Sequence, residues 1–170
     1  MEQMAGKIKV VNDPGELVSI FHASDTDVKR KMLIDLSTSW ITMPDIQEKY
    51  GQEGKRALLY LDKIKMLESQ WITTDKGPEK AFHTFYSNVQ INLMGTMSEL
   101  ADIIFATNLS DEKLAEYEDE LIKLMGENAG VFLGEASEKL DISQTFLRGI
   151  VKRSTILQIK GFKIEKVTSD

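Results

Sequence analysis

Apolar residues recur along this chain at two spacings, and the switches between them predict short helices broken by paired strands. Ile8, Val10 and Val11, next to Lys7 and Lys9, read as a short strand that ends at the turn Asn12-Asp13-Pro14-Gly15. A helix is expected from near Glu16, with Leu17, Ile20 and Phe21 at helical spacing. Val28, Met32, Leu33 and Leu36 form the stripe of a second helix, for which Ser24 and Asp27 make a cap-like pair. Thr42 is the expected N-cap of a short third helix. Pro44 falls in its first turn, where a missing N–H costs little, and Asp45 takes the capping-box position. Ile46 and Tyr50 face inward, and Gly51 ends the helix. A longer helix starts at about Glu53 and buries Ala57, Leu58, Leu61, Ile64 and Leu67. The stretches 71–73 and 81–86 read as strands around a polar tip at 74–80. Two helices, a break and a hairpin with a charged tip make a winged helix-turn-helix.

Helical spacing returns from about Val89, through Leu93, Met97, Leu100, Ile103 and Ile104. Ser110 is a good N-cap for a further helix, with Asp111 and Glu112 favourably placed on its dipole. Leu114, Tyr117, Leu121 and Leu124 form its seam, and Gly126 ends it. The first pattern then recurs: a helix over 131–140, a turn at 141–143 with Ser143 as the next N-cap, and a helix over 144–153 with Phe146, Leu147, Ile150 and Val151 inside. A hairpin closes the chain, with Lys160-Gly161 as its two-residue tip. The expected fold class is mainly α with small β-hairpin wings, as two winged helix-turn-helix units joined by a helical segment. The expected domains are an N-terminal winged helix over 1–88, a helical linker and dimerisation segment over 89–127, and a small C-terminal winged helix-turn-helix over 128–170.

Composition narrows the function. The 170 residues include no cysteine and two histidines, which excludes a disulfide scaffold and a thiolate metal site and leaves a histidine metal centre or triad poorly supplied. No paired-carboxylate or nucleophile constellation can be placed in one site, so an enzyme is not expected, nor a cofactor or metal. No apolar run approaches the ~18 residues of a membrane span, and residues 1–11 do not read as a signal peptide. A reduced cytoplasmic protein is expected, nucleoid-associated when bound to DNA.

Charge is unevenly spread. The formal net charge is −6, yet residues 96–127 set nine acidic side chains against Lys113 and Lys123, a net of −7. Residues 143–167 carry Arg148, Lys152, Arg153, Lys160, Lys163 and Lys166 against Glu165, a net of +5. Local basic faces can bind nucleic acid despite the overall sign, because charges beyond about 10 Å are largely screened at 0.1 M salt. In the first unit the second helix offers Gln52, Lys55, Arg56 and Lys63, and the wing offers Thr74, Lys76 and Lys80. In the second unit the corresponding residues are Ser143, Gln144, Thr145, Arg148 and Lys152, with Lys160 and Lys163 on the wing. Gln suits adenine, and Arg and Lys suit guanine or phosphate. Gln52, Arg56, Gln144 and Arg148 are the candidates for base edges.

Val11-Asn12-Asp13-Pro14 with Glu16-Leu17-Val18, the run from Asp25 to Lys31, Lys76-Gly77-Pro78-Glu79-Lys80-Ala81-Phe82-His83-Thr84, Ile142-Ser143 with Phe146-Leu147, and Val151-Lys152-Arg153-Ser154 stand out as motifs. Together they resemble archaeal ArsR-type winged-helix transcriptional regulators with an appended C-terminal helix-turn-helix. The resemblance implies a repressor or activator that binds double-stranded DNA as a homodimer, with dimer contacts from helices outside the reading head. It names no operator and no small-molecule effector. Thiol-sensing relatives carry cysteines that this chain lacks, so thiolate sensing does not carry over. Asp141 stands where such a turn usually has Gly, and Asp tolerates the left-handed backbone.

Other features read as structural. His83 is expected to bond to backbone, His22 to end a helix, the acidic run 111–120 to be a solvated face, and the eight methionines to pack. The competing reading is a winged-helix protein-docking module without DNA, which the acidic middle favours.

Overall fold

The structure is a computed structural model and describes residues 6–168. Residues 1–5, within the stretch read above for a signal peptide, and 169–170, within the expected C-terminal unit, lie outside the described residues. In chain order the elements are β1 (Ile8–Val11), α1 (Pro14–His22), α2 (Asp27–Thr38), β2 (Ile41–Thr42), α3 (Met43–Lys63), β3 (Leu67–Thr74), β4 (Gly77–Thr84), β5 (Asn88–Ile91), α4 (Met97–Asn108), α5 (Asp111–Met125), β6 (Gly130–Phe132), α6 (Leu133–Leu140), α7 (Gln144–Arg153), β7 (Leu157–Lys160) and β8 (Lys163–Lys166). The fold is mainly α with small hairpin sheets and is of the winged-helix kind. Among the described residues two compact units form, one from 6–11 and 23–92 and the other from 12–22 and 93–168.

In the first unit, β2, β4 and β3 make an antiparallel sheet in that order. It covers a core of Met32, Leu36, Ile46, Leu58, Leu61 and Phe82. The N-cap of α2 is Thr26, which accepts from the Lys29 N–H, rather than the Ser24–Asp27 pair of the sequence reading. Thr42 caps α3 as expected, accepting from the Asp45 N–H at 3.2 Å. Helix α3 is broken at Gly51, where φ is 63° and ψ −154°. Side chains other than glycine essentially never adopt that backbone, so the glycine sets the turn between 43–50 and 52–63.

The wing is longer and its tip tighter than the polar run suggested. Thr74 pairs with Gly77, leaving Asp75-Lys76 as a two-residue tip. The Gly-Pro-Glu-Lys stretch belongs to β4. Pro78 is tolerated there because β2 reaches only Ala81 and Phe82, so no partner strand lies along that outer edge. The helix expected from Val89 is absent at its start. Asn88–Ile91 is β5, paired in parallel with β1, and the helix begins at Met97. Asn88, Val89, Gln90 and Ile91 alternate with period two, and their partner lies at the far end of the unit's sequence, so local spacing cannot reveal the pair.

In the second unit, α7 is the central helix, packed on α1 and α4 with contacts to α5, α6 and β7. Phe146 anchors it, 5.4 Å from the Phe105 ring and 5.5 Å from the Tyr117 ring between centroids. Strands β6, β8 and β7 form an antiparallel sheet in that order, matching the β2-β4-β3 order of the first unit. Gly130–Phe132 is β6, so 131–132, expected as helix, are strand, and α6 starts at Leu133. Asp141 holds the left-handed conformation expected of it, with φ 52° and ψ 46°. The tip of the last hairpin is Gly161-Phe162, one residue later than read, because Lys160 pairs with Lys163.

Candidate nucleic-acid interface

The two helices that the sequence offers for reading DNA have opposite exposures. On the second half of α3, Gly54, Ala57, Leu58, Tyr60 and Leu61 are buried. Gln52, Glu53, Arg56, Leu59 and Asp62 are exposed, and Lys55 and Lys63 are half-buried. The buried set leaves one continuous helix face open to solvent. Gly54 keeps 52–63 tight against 43–50. A Cβ there would lie 2.3 Å from the Tyr50 Cβ, closer than side-chain atoms approach.

Two polar clusters fix this pair of helices to α2. The Thr26 hydroxyl donates to Glu53 Oε1 at 2.6 Å while capping α2, so the start of the open helix and the start of α2 share one side chain. Asp35 accepts from Lys49 Nζ and from the Tyr50 hydroxyl immediately before the Gly51 break. These hydrogen bonds, from Lys49 first and Tyr50 second, hold the Asp35 carboxyl below its ordinary range. The hydrogen bond to Asp35, and after it one with Tyr50, raises Lys49, while burial and then Asp35 raise Tyr50.

On the wing, the Thr74 hydroxyl donates to the Gly77 carbonyl at 2.9 Å and accepts from the Lys76 N–H at 3.2 Å. It builds the turn that presents Lys76. Lys80 lies across from Trp71 with its ammonium 5.4 Å from the Phe82 ring. Trp71 is 72% exposed and was not singled out in the sequence, where it read simply as a strand residue. Strand alternation puts Trp71, Thr73, Lys80 and Pro78 on the face that holds the buried Phe82 and Thr84. Leu59, 55% exposed in the middle of the open α3 face, was not singled out either, although it stands outside the stripe of Ala57, Leu58 and Leu61 read as buried. His83 bonds the Thr84 carbonyl through Nδ1 at 2.8 Å and stacks on Trp40.

Helix α7 is closed. Only Gln144 is exposed; Thr145, Arg148 and Lys152 are half-buried and the other six residues are buried. A Cβ at Gly15 of α1 would sit 3.4 Å from Lys152 Cγ and 3.6 Å from Arg148 Cβ, so α1 lies along the stems of both cations. Ser143 caps α7 and donates to Asp102 Oδ2 at 2.6 Å. Arg153, counted in the basic block, is not a surface charge. It is 4% exposed, donates to the carbonyls of Ala106 and Leu109, and meets Asp111 at 3.3 Å. Among the described residues, its Nε has no partner. Lys160 lies 3.8 Å from Glu165, and Lys163 sits 5.9 Å from the Phe132 ring.

Among the described residues no group of three or more histidine or acidic side chains is placed to hold a metal ion. None of the described helices is long and apolar enough to cross a membrane. Against this geometry, the family model described as ArsR transcriptional regulator matches residues 11–168. The chain belongs to the ArsR family. ArsR proteins are DNA-binding transcriptional regulators, and the match spans both units. A search of curated proteins returns no match.

Proposed function

We propose that this ArsR-family chain is a homodimeric, sequence-specific transcription regulator that reads duplex DNA with its first unit. The observation that carries this reading is the open face of 52–63 beside a rigid wing. A helix enters the major groove only if one whole face is free, and its N-terminal residues lie nearest the base edges. Gln52 and Arg56 contact bases, Lys55 and Lys63 contact phosphates, and the wing brings Thr74, Lys76, Lys80 and Trp71 to the backbone and minor groove. Thr74 does so by shaping the turn. No catalytic step is involved.

The second unit contributes differently. With α1 and α4 against it, α7 keeps only the narrow stripe of Gln144, Thr145, Arg148 and Lys152 at the surface, a smaller face than the one α3 leaves open. In this reading Ser143, Gln144, Thr145, Arg148 and Lys152 serve the unit's own packing and solubility, while Lys160 and Lys163 remain available to DNA. The unit also carries the dimer contact. Met97, Leu100 and Ile104 line one side of α4 at 80%, 44% and 50% exposure, and Met94 before it is fully exposed. This stripe departs from the expectation that the methionines pack inside. An apolar stripe of this kind is covered most simply by its own copy across a two-fold axis. Such a dimer favours a palindromic site with half-sites about 34–36 Å apart, or multiples of that spacing.

The test is fluorescence anisotropy of the full chain against random and selected duplexes at two salt concentrations, with the mass in solution measured alongside. Selective binding that weakens steeply with salt, from a species of twice the chain mass, supports the reading. A folded chain that binds no duplex at low salt points to the docking-module alternative.

A further inference from the structure

The β7–β8 hairpin tip has a construction that neither the packing of its unit nor the reading helix explains. Phe162 stands at the apex of the two-residue turn and is 75% exposed; Phe132 is 61% exposed on β6. The tip is pinned, because the Phe162 carbonyl accepts from the Leu133 N–H at 2.8 Å. Lys160 and Lys163 face each other directly as the closing pair of the turn. Like charges at opposed positions destabilise a hairpin. Glu165 relieves one of them at the long distance of 3.8 Å, from a half-buried position to an exposed Lys160. Strand alternation sets Phe132, Lys160 and Lys163 on the sheet face opposite the buried Val131, Leu157 and Ile164. An exposed aromatic apex between two opposed cations with one long-range carboxylate between them, on a tip tied to Leu133, fits a polyanion that also offers an apolar slot.

We propose that this tip is a second DNA contact, in which Phe162 enters the minor groove as an apolar wedge while Lys160 and Lys163 hold the flanking phosphates. The inference rests on the DNA-binding reading above and extends it to a contact made without α7. Side-chain wedges between base steps are an established way of binding the minor groove, and they bend the duplex. A second copy of this chain is a poor occupant, since stacking the patch on itself would bring four lysines together. Duplex DNA satisfies both the charge and the aromatic apex.

The test uses the full chain and an end-labelled duplex selected from random sequence by that chain. F162A should weaken binding about tenfold with the salt slope unchanged, because the loss is of stacking and not of charge. F162L should recover part of that loss, since it keeps an apolar wedge. K160Q/K163Q should lower the salt slope by about 2. Energy transfer between the duplex ends should show a bend that F162A removes. If the wild-type chain binds while F162A matches it in affinity and bend, this inference falls and the DNA-binding reading stands. If the wild-type chain binds no duplex, both fall together.

Discussion

Gly149 of α7 lies against Ala106 of α4, so closely that a Cβ at position 149 would come within 2.7 Å of the Ala106 Cβ. Val18 of α1 closes the same spot at 3.3 Å. The contact is the tightest statement of why α7 serves as the core of its unit. G149V should destabilise the second unit by about 1–3 kcal/mol through overpacking. Urea unfolding followed by circular dichroism measures it, and a variant as stable as the parent would mean that α7 has room on that side.

Arg153 should behave as a structural residue despite standing in the basic block. Its guanidinium satisfies carbonyls at the end of α4 and the carboxylate that opens α5. Truncation in R153A leaves those buried carbonyls without donors and should cost about 1–3 kcal/mol. R153K keeps the charge but not the planar fork, and should recover little of that loss. The salt slope of DNA binding should be the same in R153K and the parent, as measured on samples held well below their melting temperatures.

Gly51 carries the break between the two halves of α3. G51A places a Cβ in a conformation that only glycine adopts freely, and should lower stability by about 1–3 kcal/mol. Thermal melting checks this. A Cβ at this position would meet no atom within 4 Å, so backbone strain alone is at work, and an unchanged melting temperature would show that the turn relaxes.

Asp35 makes the first unit sensitive to acid. Its carboxyl is held below 3.8 by hydrogen bonds from Lys49 and Tyr50. A group lowered in the folded state stabilises it above the unfolded pKa, and that contribution is lost as pH falls through the folded value. Lys49 and Tyr50 are raised, so their share is present below their ordinary values and is lost at alkaline pH. Melting temperatures of the parent and D35N should therefore differ near neutrality, begin to converge as pH falls below about 3.8, the ordinary value of the carboxyl, and meet only below its lowered folded value. A constant difference down to low pH would contradict the assignment.

Local chemistry was legible in the sequence. Thr42, Ser110 and Ser143 cap the helices they were read to cap, Gly51 breaks α3, and Asp141 takes the left-handed turn. Each of these depends on a few neighbouring residues. The β1–β5 pair was hidden because its strands meet across the whole of the first unit. Arg153 was hidden because a count of cations carries no depth. The closure of α7 did leave a signal. Phe146, Leu147, Gly149, Ile150 and Val151 cover more than one side of a ten-residue helix, which calls for more than one neighbour. The open half of α3 has its apolar set confined to one side, except for Leu59. Trp71 left no signal, since alternation in a hairpin does not say how far the core extends beneath it.

The central claim is that the helix after Gly51 reads DNA and α7 does not. Binding of K55Q/R56Q and of R148Q/K152Q to the selected duplex, compared with the parent across a salt series, tests it most directly. K55Q/R56Q should lose about ten- to hundredfold in affinity and about 2 in salt slope. R148Q/K152Q should stay within about twofold of the parent with the same slope, as expected of cations that touch neither base nor phosphate. The reverse pattern, with the α7 pair carrying the loss, would contradict the account.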